Sequence, residues 1–92
     1  MDGTERLTAF FQLCKLFIQG GKLNQADVIY DLCIKEFEND FRCYFNQAQL
    51  RCLQKRYTEA LSLFYEAEVR YTMSSIVSHL LMMTRHRLDD IL

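Results

Sequence analysis

The chain has 92 residues, half of them hydrophobic, and a formal net charge of −1. That is enough apolar material for one small core, and a near-neutral chain lacks the clustered Lys and Arg that phosphate binding needs, so no nucleic-acid partner is expected. No apolar run approaches the ~20 residues of a membrane span, and "MDGTERL" lacks the basic and apolar stretches of a signal peptide, which makes a folded cytoplasmic domain the expectation.

With no Pro and only three Gly, the sequence permits long helices and argues against a turn-rich β fold. Apolar periodicity and capping residues predict an all-α domain of five helices. The first runs from about Thr4, capped by Asp2 or Thr4, and stops at Gly20-Gly21, where Gly tolerates the left-handed conformation that closes a helix. The second opens on Asn24 as N-cap and reaches Phe37. "ENDF" then breaks the pattern, and Asp40 caps a third helix to about Gln54. Thr58 opens the fourth, which extends through Tyr71, and "TMSS" separates it from a fifth at about Ser75 to Asp89. Connections this short make successive helices pack antiparallel.

The side chains that could carry chemistry are sparse. Cys14, Cys33, Cys43 and Cys52 form no C-x-x-C pair and no zinc-type spacing with His79 and His86, so they read as small core residues, with neither a metal nor a disulfide framework expected. The carboxylate pairs Glu66/Glu68 and Asp89/Asp90 sit at spacings that point different ways on a helix. No nucleophile elbow or phosphate loop is present, and the chain is expected to be neither an enzyme nor a cofactor carrier.

One pattern is stated twice. "GKLNQADVIY" from Gly21 and "KRYTEALSLF" from Lys55 lie 34 residues apart. In that register Phe10 matches Tyr44, Cys14 matches Ala48, Leu23 matches Tyr57, Ala26 matches Ala60, Tyr30 matches Phe64 and Cys33 matches Ala67. Two antiparallel helices per 34 residues, with small residues where helices cross, resembles the tetratricopeptide repeat. Repeat one would be Leu7–Asp40, repeat two Phe41–Ser74, and 75–92 an incomplete third unit, making about two and a half repeats in one domain spanning 1–92. The sequence departs from the family pattern at Gln47 and Arg51, which replace a Leu and a ring, and at Glu38 and Thr72, where Pro often ends a repeat. The resemblance implies a right-handed stack with a concave face built from the first helix of each pair.

Two faces carry more apolar residues than the chain itself covers. On the first helix, Ala9, Leu13 and Leu16 face the side where an earlier repeat would pack, although Leu13 also serves the hairpin. Ile76, Val77, Leu80, Leu81, Met83 and Leu88 span a wide arc near the C-terminus, followed by Ile91-Leu92. Natural repeat caps present a polar outer face, so a chain unstable or self-associating on its own is expected.

The size, the repeat type and these uncovered faces resemble the needle-subunit chaperones of bacterial type III secretion systems. That resemblance implies a small helical co-chaperone on Ala9, Leu13 and Leu16. It also implies an amphipathic needle-subunit helix in a groove lined by Phe11, Lys15 and Ile18, then Phe45, Gln49, Cys52 and Leu53, then Ile76, His79 and Met83. Phe11 and Phe45 share a repeat position and are expected side by side. Two other readings remain open at this level: an adaptor gripping an extended peptide or a chaperone C-terminus, for which Lys15 and Asn46 would serve, and a self-associating scaffold.

Overall fold

A computed structural model describes the backbone of residues 3–91 and the side chains of residues 3–83. The fold is all-helical, with α1 (Gly3–Gln19), α2 (Leu23–Glu36), α3 (Phe41–Leu53) and α4 (Tyr57–Ile91). Each helix packs on the next in the chain, α1 on α2, α2 on α3 and α3 on α4.

The helix ends follow local chemistry. After α1 the amide of Gly21 donates to the Ile18 carbonyl at 3.0 Å and that of Lys22 to the Phe17 carbonyl at 2.8 Å, while Gly21 takes a positive φ of 75°. This is a Schellman closure, in which a left-handed residue lets the chain satisfy the last carbonyls of the helix. The same closure recurs 34 residues later. There Lys55, at φ 61°, donates to the Cys52 carbonyl at 3.0 Å, and Arg56 to the Arg51 carbonyl at 2.8 Å. The duplicated sequence therefore yields a duplicated turn, with a side chain where the first copy has Gly.

Helix starts differ in part from the expectation. Asp40 caps α3 as anticipated, its carboxylate accepting the Arg42 amide at 3.0 Å. α2 instead begins at Leu23, with Lys22 rather than Asn24 in the N-cap position and no side-chain cap bond, and α4 begins at Tyr57 rather than at Thr58. Thr4 lies inside α1, and Asp2 lies outside the described residues.

The largest correction concerns the helix count, which is four rather than five. "TMSS" does not interrupt α4, which continues from Tyr57 to Ile91 over 35 residues. Thr and Ser cost a helix only about 0.5 kcal/mol each, and the segment holds neither Gly nor Pro to enforce a turn. At the matching place in the first copy, the chain turns because α3 follows and packs. The Tyr44 hydroxyl also donates to the Glu38 carbonyl there, at 2.9 Å, fixing the bend.

Small residues sit at the crossings. Cys14, Ala26, Cys33, Cys43, Ala48, Ala60 and Ala67 are all buried, so the three small pairs of the 34-residue register are buried in both copies. They let the backbones approach while the larger Leu7, Tyr30, Tyr44 and Leu50 fill the space between. The buried thiols of Cys14 and Cys43 donate weakly to the carbonyls of Ala26 and Cys33. All four cysteines are free.

Candidate protein-docking surface

Of the anticipated α1 residues, Phe11 and Ile18 are half-buried against the core, and only Lys15 stands in solvent. The ring of Phe11 meets Tyr30 of α2, with centroids 6.4 Å apart, and the ring of Phe45 meets Phe64 of α4, edge-on at 5.6 Å. Each aromatic thus takes the neighbour of its own hairpin, and the expected pairing of Phe11 with Phe45 gives way to these two contacts. The reason is connectivity: α2 is the packing partner of α1, and α4 that of α3.

On α3, Phe45 is 43 % and Leu53 59 % exposed; Gln49 is exposed and Cys52 half-buried. Beside Phe45 lies an open hollow of about 270 Å³, lined by Phe41, Phe45, Phe64, Ala67, Glu68 and Tyr71. Two edge-on ring pairs frame it, Phe45 with Phe64 and Phe41 with Tyr71, the latter at 5.1 Å. Edge-on rings hold one another rigid, so the hollow is preformed. The sequence signalled Phe45 and Phe64 by their repeat positions; Phe41 and Tyr71 escaped notice because they lie on different helices, 30 residues apart.

Ile76, His79 and Met83 lie on the C-terminal half of α4, within a stretch from 71 to 83 in which every residue is exposed. They are not brought against α3 on a separate helix, because α4 runs on. Ala9, Leu13 and Leu16 are exposed on α1, with Leu16 66 % exposed. Val28 and Leu32 add exposed apolar surface on α2. The side chains of His86, Leu88, Ile91 and Leu92 lie outside the described residues.

A polar cluster that the sequence did not announce braces α2 against α3 and α4. Gln47, 2 % exposed, donates through Nε2 to Asp27 at 2.9 Å and to Asp31 at 2.8 Å. Arg51 donates to the other oxygen of Asp27 at 2.7 Å, and Arg56 pairs with Glu59 and reaches Asp27. Thus Gln47 and Arg51, two of the four departures from the repeat pattern, serve one network. A second brace centres on Arg70, whose guanidinium lies 3.9 Å over the Tyr44 ring, donates to the Glu38 carbonyl at 2.6 Å and pairs with Glu66. Cation–π contact and hydrogen bonding together fix the start of α3 and the α2–α3 connection to the middle of α4.

Electrostatically the site is quiet. The Arg42 guanidinium and amide hold the Asp40 carboxyl below its usual 3.8. Burial pushes the Cys14 thiol up to about 11 and raises the Tyr30 phenol as well. Among the described residues no group of three or more His, Cys, Asp or Glu is placed to hold a metal ion, and no helix is long and apolar enough to cross a membrane. What the surface offers is a rigid aromatic hollow and uncharged apolar faces, which suit side-chain docking. No protein-family model, curated protein or solved structure matches the chain.

Proposed function

We propose that the chain is a non-catalytic protein-binding module of tetratricopeptide type, a cytoplasmic type III secretion chaperone that holds the amphipathic helix of a needle subunit. The observation that carries the reading is the hollow between α3 and α4, where Phe45 stays 43 % exposed beside three other rings. A helix binder keeps such a ring available as an anchor, since helix-in-groove recognition places apolar residues at i, i+3 or i+4 and i+7 into such recesses. Exposed Leu53, two turns along α3 from Phe45, offers the next anchor point. The repeat assignment is supported by the small residues buried in both copies and by the matching closures at Gly21 and Lys55. Ala9, Leu13 and Leu16, exposed on α1, receive the small helical co-chaperone.

The test is a tagged copy expressed in a host that makes the secretion system, with co-purifying proteins identified by mass spectrometry and affinities measured on the recovered client. A short polymer-forming helical protein is the expected client. Phe45→Ala weakens its binding roughly thirtyfold or more, as aromatic hot spots do, with far-UV circular dichroism unchanged. Leu16→Glu releases the co-chaperone and leaves the client bound. Recovery of a large ATP-dependent chaperone through its C-terminal peptide, or full client affinity in folded Phe45→Ala, overturns the reading.

A further inference from the structure

α4 has two sides. Ala60 and Ala67, buried, and Leu63 and Phe64, half-buried, form the side that packs on α3. About 180° around the helix, at 3.6 residues per turn, runs an exposed stripe of Tyr65, Val69, Met73, Ile76, Leu80 and Met83. Its steps of four, four, three, four and three residues keep one line along the helix, and the last four residues follow the alternating spacing of a coiled-coil seam. The stripe passes without interruption from the half of α4 that α3 supports to the half where 71–83 are exposed throughout.

We propose that this stripe is a homodimer seam, in which α4 of one copy packs antiparallel against α4 of a second copy, the two-fold axis passing between Met73 and Ile76. Three observations select a second copy as the occupant. First, the stretch 71–83 contains no Asp, Glu, Lys or Arg, so it offers a charged partner nothing to pair with, while self-pairing brings no like charges together there. Second, the area suffices: six side chains at about 80 Å² each give roughly 500 Å² per copy, and two copies reach the ~1,000 Å² that a specific interface needs. Third, the seam lies opposite the side of α4 that packs on α3, with only Asn39 of the α2–α3 connection reaching the hollow beside Val69 and Met73, so two copies can meet along the helices. Such a contact is isologous and closes on itself.

The antiparallel sense follows from the helix dipoles, which oppose in that arrangement. The seam also gives the exposed second half of α4 tertiary packing, from which most helix stability in proteins comes. The inference is independent of the client reading: the aromatic hollow opens on another side of α4.

The test uses the full chain in sedimentation-velocity runs across a concentration series. A reversible monomer–dimer equilibrium is expected. Ile76→Glu, at the centre of the seam, weakens dimerisation roughly hundredfold by burying a charge against an apolar partner. Leu81→Glu, more exposed than Ile76 but off the seam, changes it less than about threefold. Circular dichroism on both variants guards against a folding defect, because α1–α3 do not use either residue. Orientation is read from Ser62→Cys: an antiparallel pair holds the two copies of residue 62 far apart, and no disulfide-linked dimer forms under mild oxidation. A wild-type chain monomeric throughout the series, equal loss in both Glu variants, or rapid disulfide linkage through residue 62 overturns the proposal.

Discussion

The side-chain amide of Gln47 donates to Asp27 at 2.9 Å from a position that is 2 % exposed. A hydrogen bond to an ionised group in such a place is worth more than a neutral one, and its removal leaves the acceptor short of a donor. Gln47→Leu fills the space but takes one donor from Asp27, which keeps Arg51, and one from Asp31, which is exposed to water. We expect it to destabilise the fold by about 1.5 kcal/mol in urea denaturation, the low end for a hydrogen bond to a charged group. A double-mutant cycle with Asp27→Ala should return a coupling of about 1 kcal/mol or more; an additive cycle would show that the contact contributes nothing of its own.

Lys55 occupies the left-handed position that Gly21 occupies in the first copy. A side chain there costs about 1 kcal/mol relative to Gly. Lys55→Gly should therefore raise stability by about that amount, against the usual cost of adding Gly. Gly21→Ala should lose about 1 kcal/mol through backbone strain alone, because a Cβ at Gly21 meets nothing within 4 Å. Thermal midpoints of the two variants, moving in opposite directions, are the readout.

Asp40 links stability to acid. Its folded-state pKa lies below the usual 3.8, through Arg42 hydrogen bonding. A lowered carboxylate pKa stabilises above the unfolded value, and that stability is lost as pH falls through the folded one. Asp40→Ala should cost about 1 kcal/mol at neutral pH, as lost N-caps do. The gap between variant and wild type should narrow as pH drops below 3.8; a gap constant with pH would mean that the cap acts through shape rather than charge.

The thiols should divide into two kinds. Cys14, Cys33 and Cys43 are fully buried, and Cys52 is half-exposed. With Cys14 raised from 9.0 to about 11 by burial, a chromogenic disulfide reagent at pH 8 should titrate Cys52 quickly and the buried three only on unfolding. The raised thiol also contributes stability that is full below its unfolded value and declines as pH rises from 9.0 towards 11. Four thiols reacting at one rate in native protein would contradict the packing.

Much of the fold was legible locally. Gly20-Gly21 and Asp40 announced a helix stop and a helix start because each acts through its own backbone or its own turn. The small residues at Cys14, Ala26 and Cys33 and at Ala48, Ala60 and Ala67 announced the helix crossings, since a 34-residue register carries the packing requirement twice. Gln47 and Arg51 registered only as departures from a pattern. Their acceptors, Asp27, Asp31 and Glu59, lie on other helices, and no local rule joins residues at those separations.

What the sequence determined by itself was the all-helical character, the first three helix boundaries to within a few residues, and the pairing of small buried positions. These depend on periodicity, capping and backbone freedom within a turn or two. Whether "TMSS" would end a helix was left to tertiary structure, because Thr and Ser tip a helix only weakly and the outcome depends on what the following segment can pack against. With residues 71–83 left exposed among the described residues, α4 continues. The same packing decided which ring Phe11 and Phe45 would meet, since each neighbour is set by how helices stack in space.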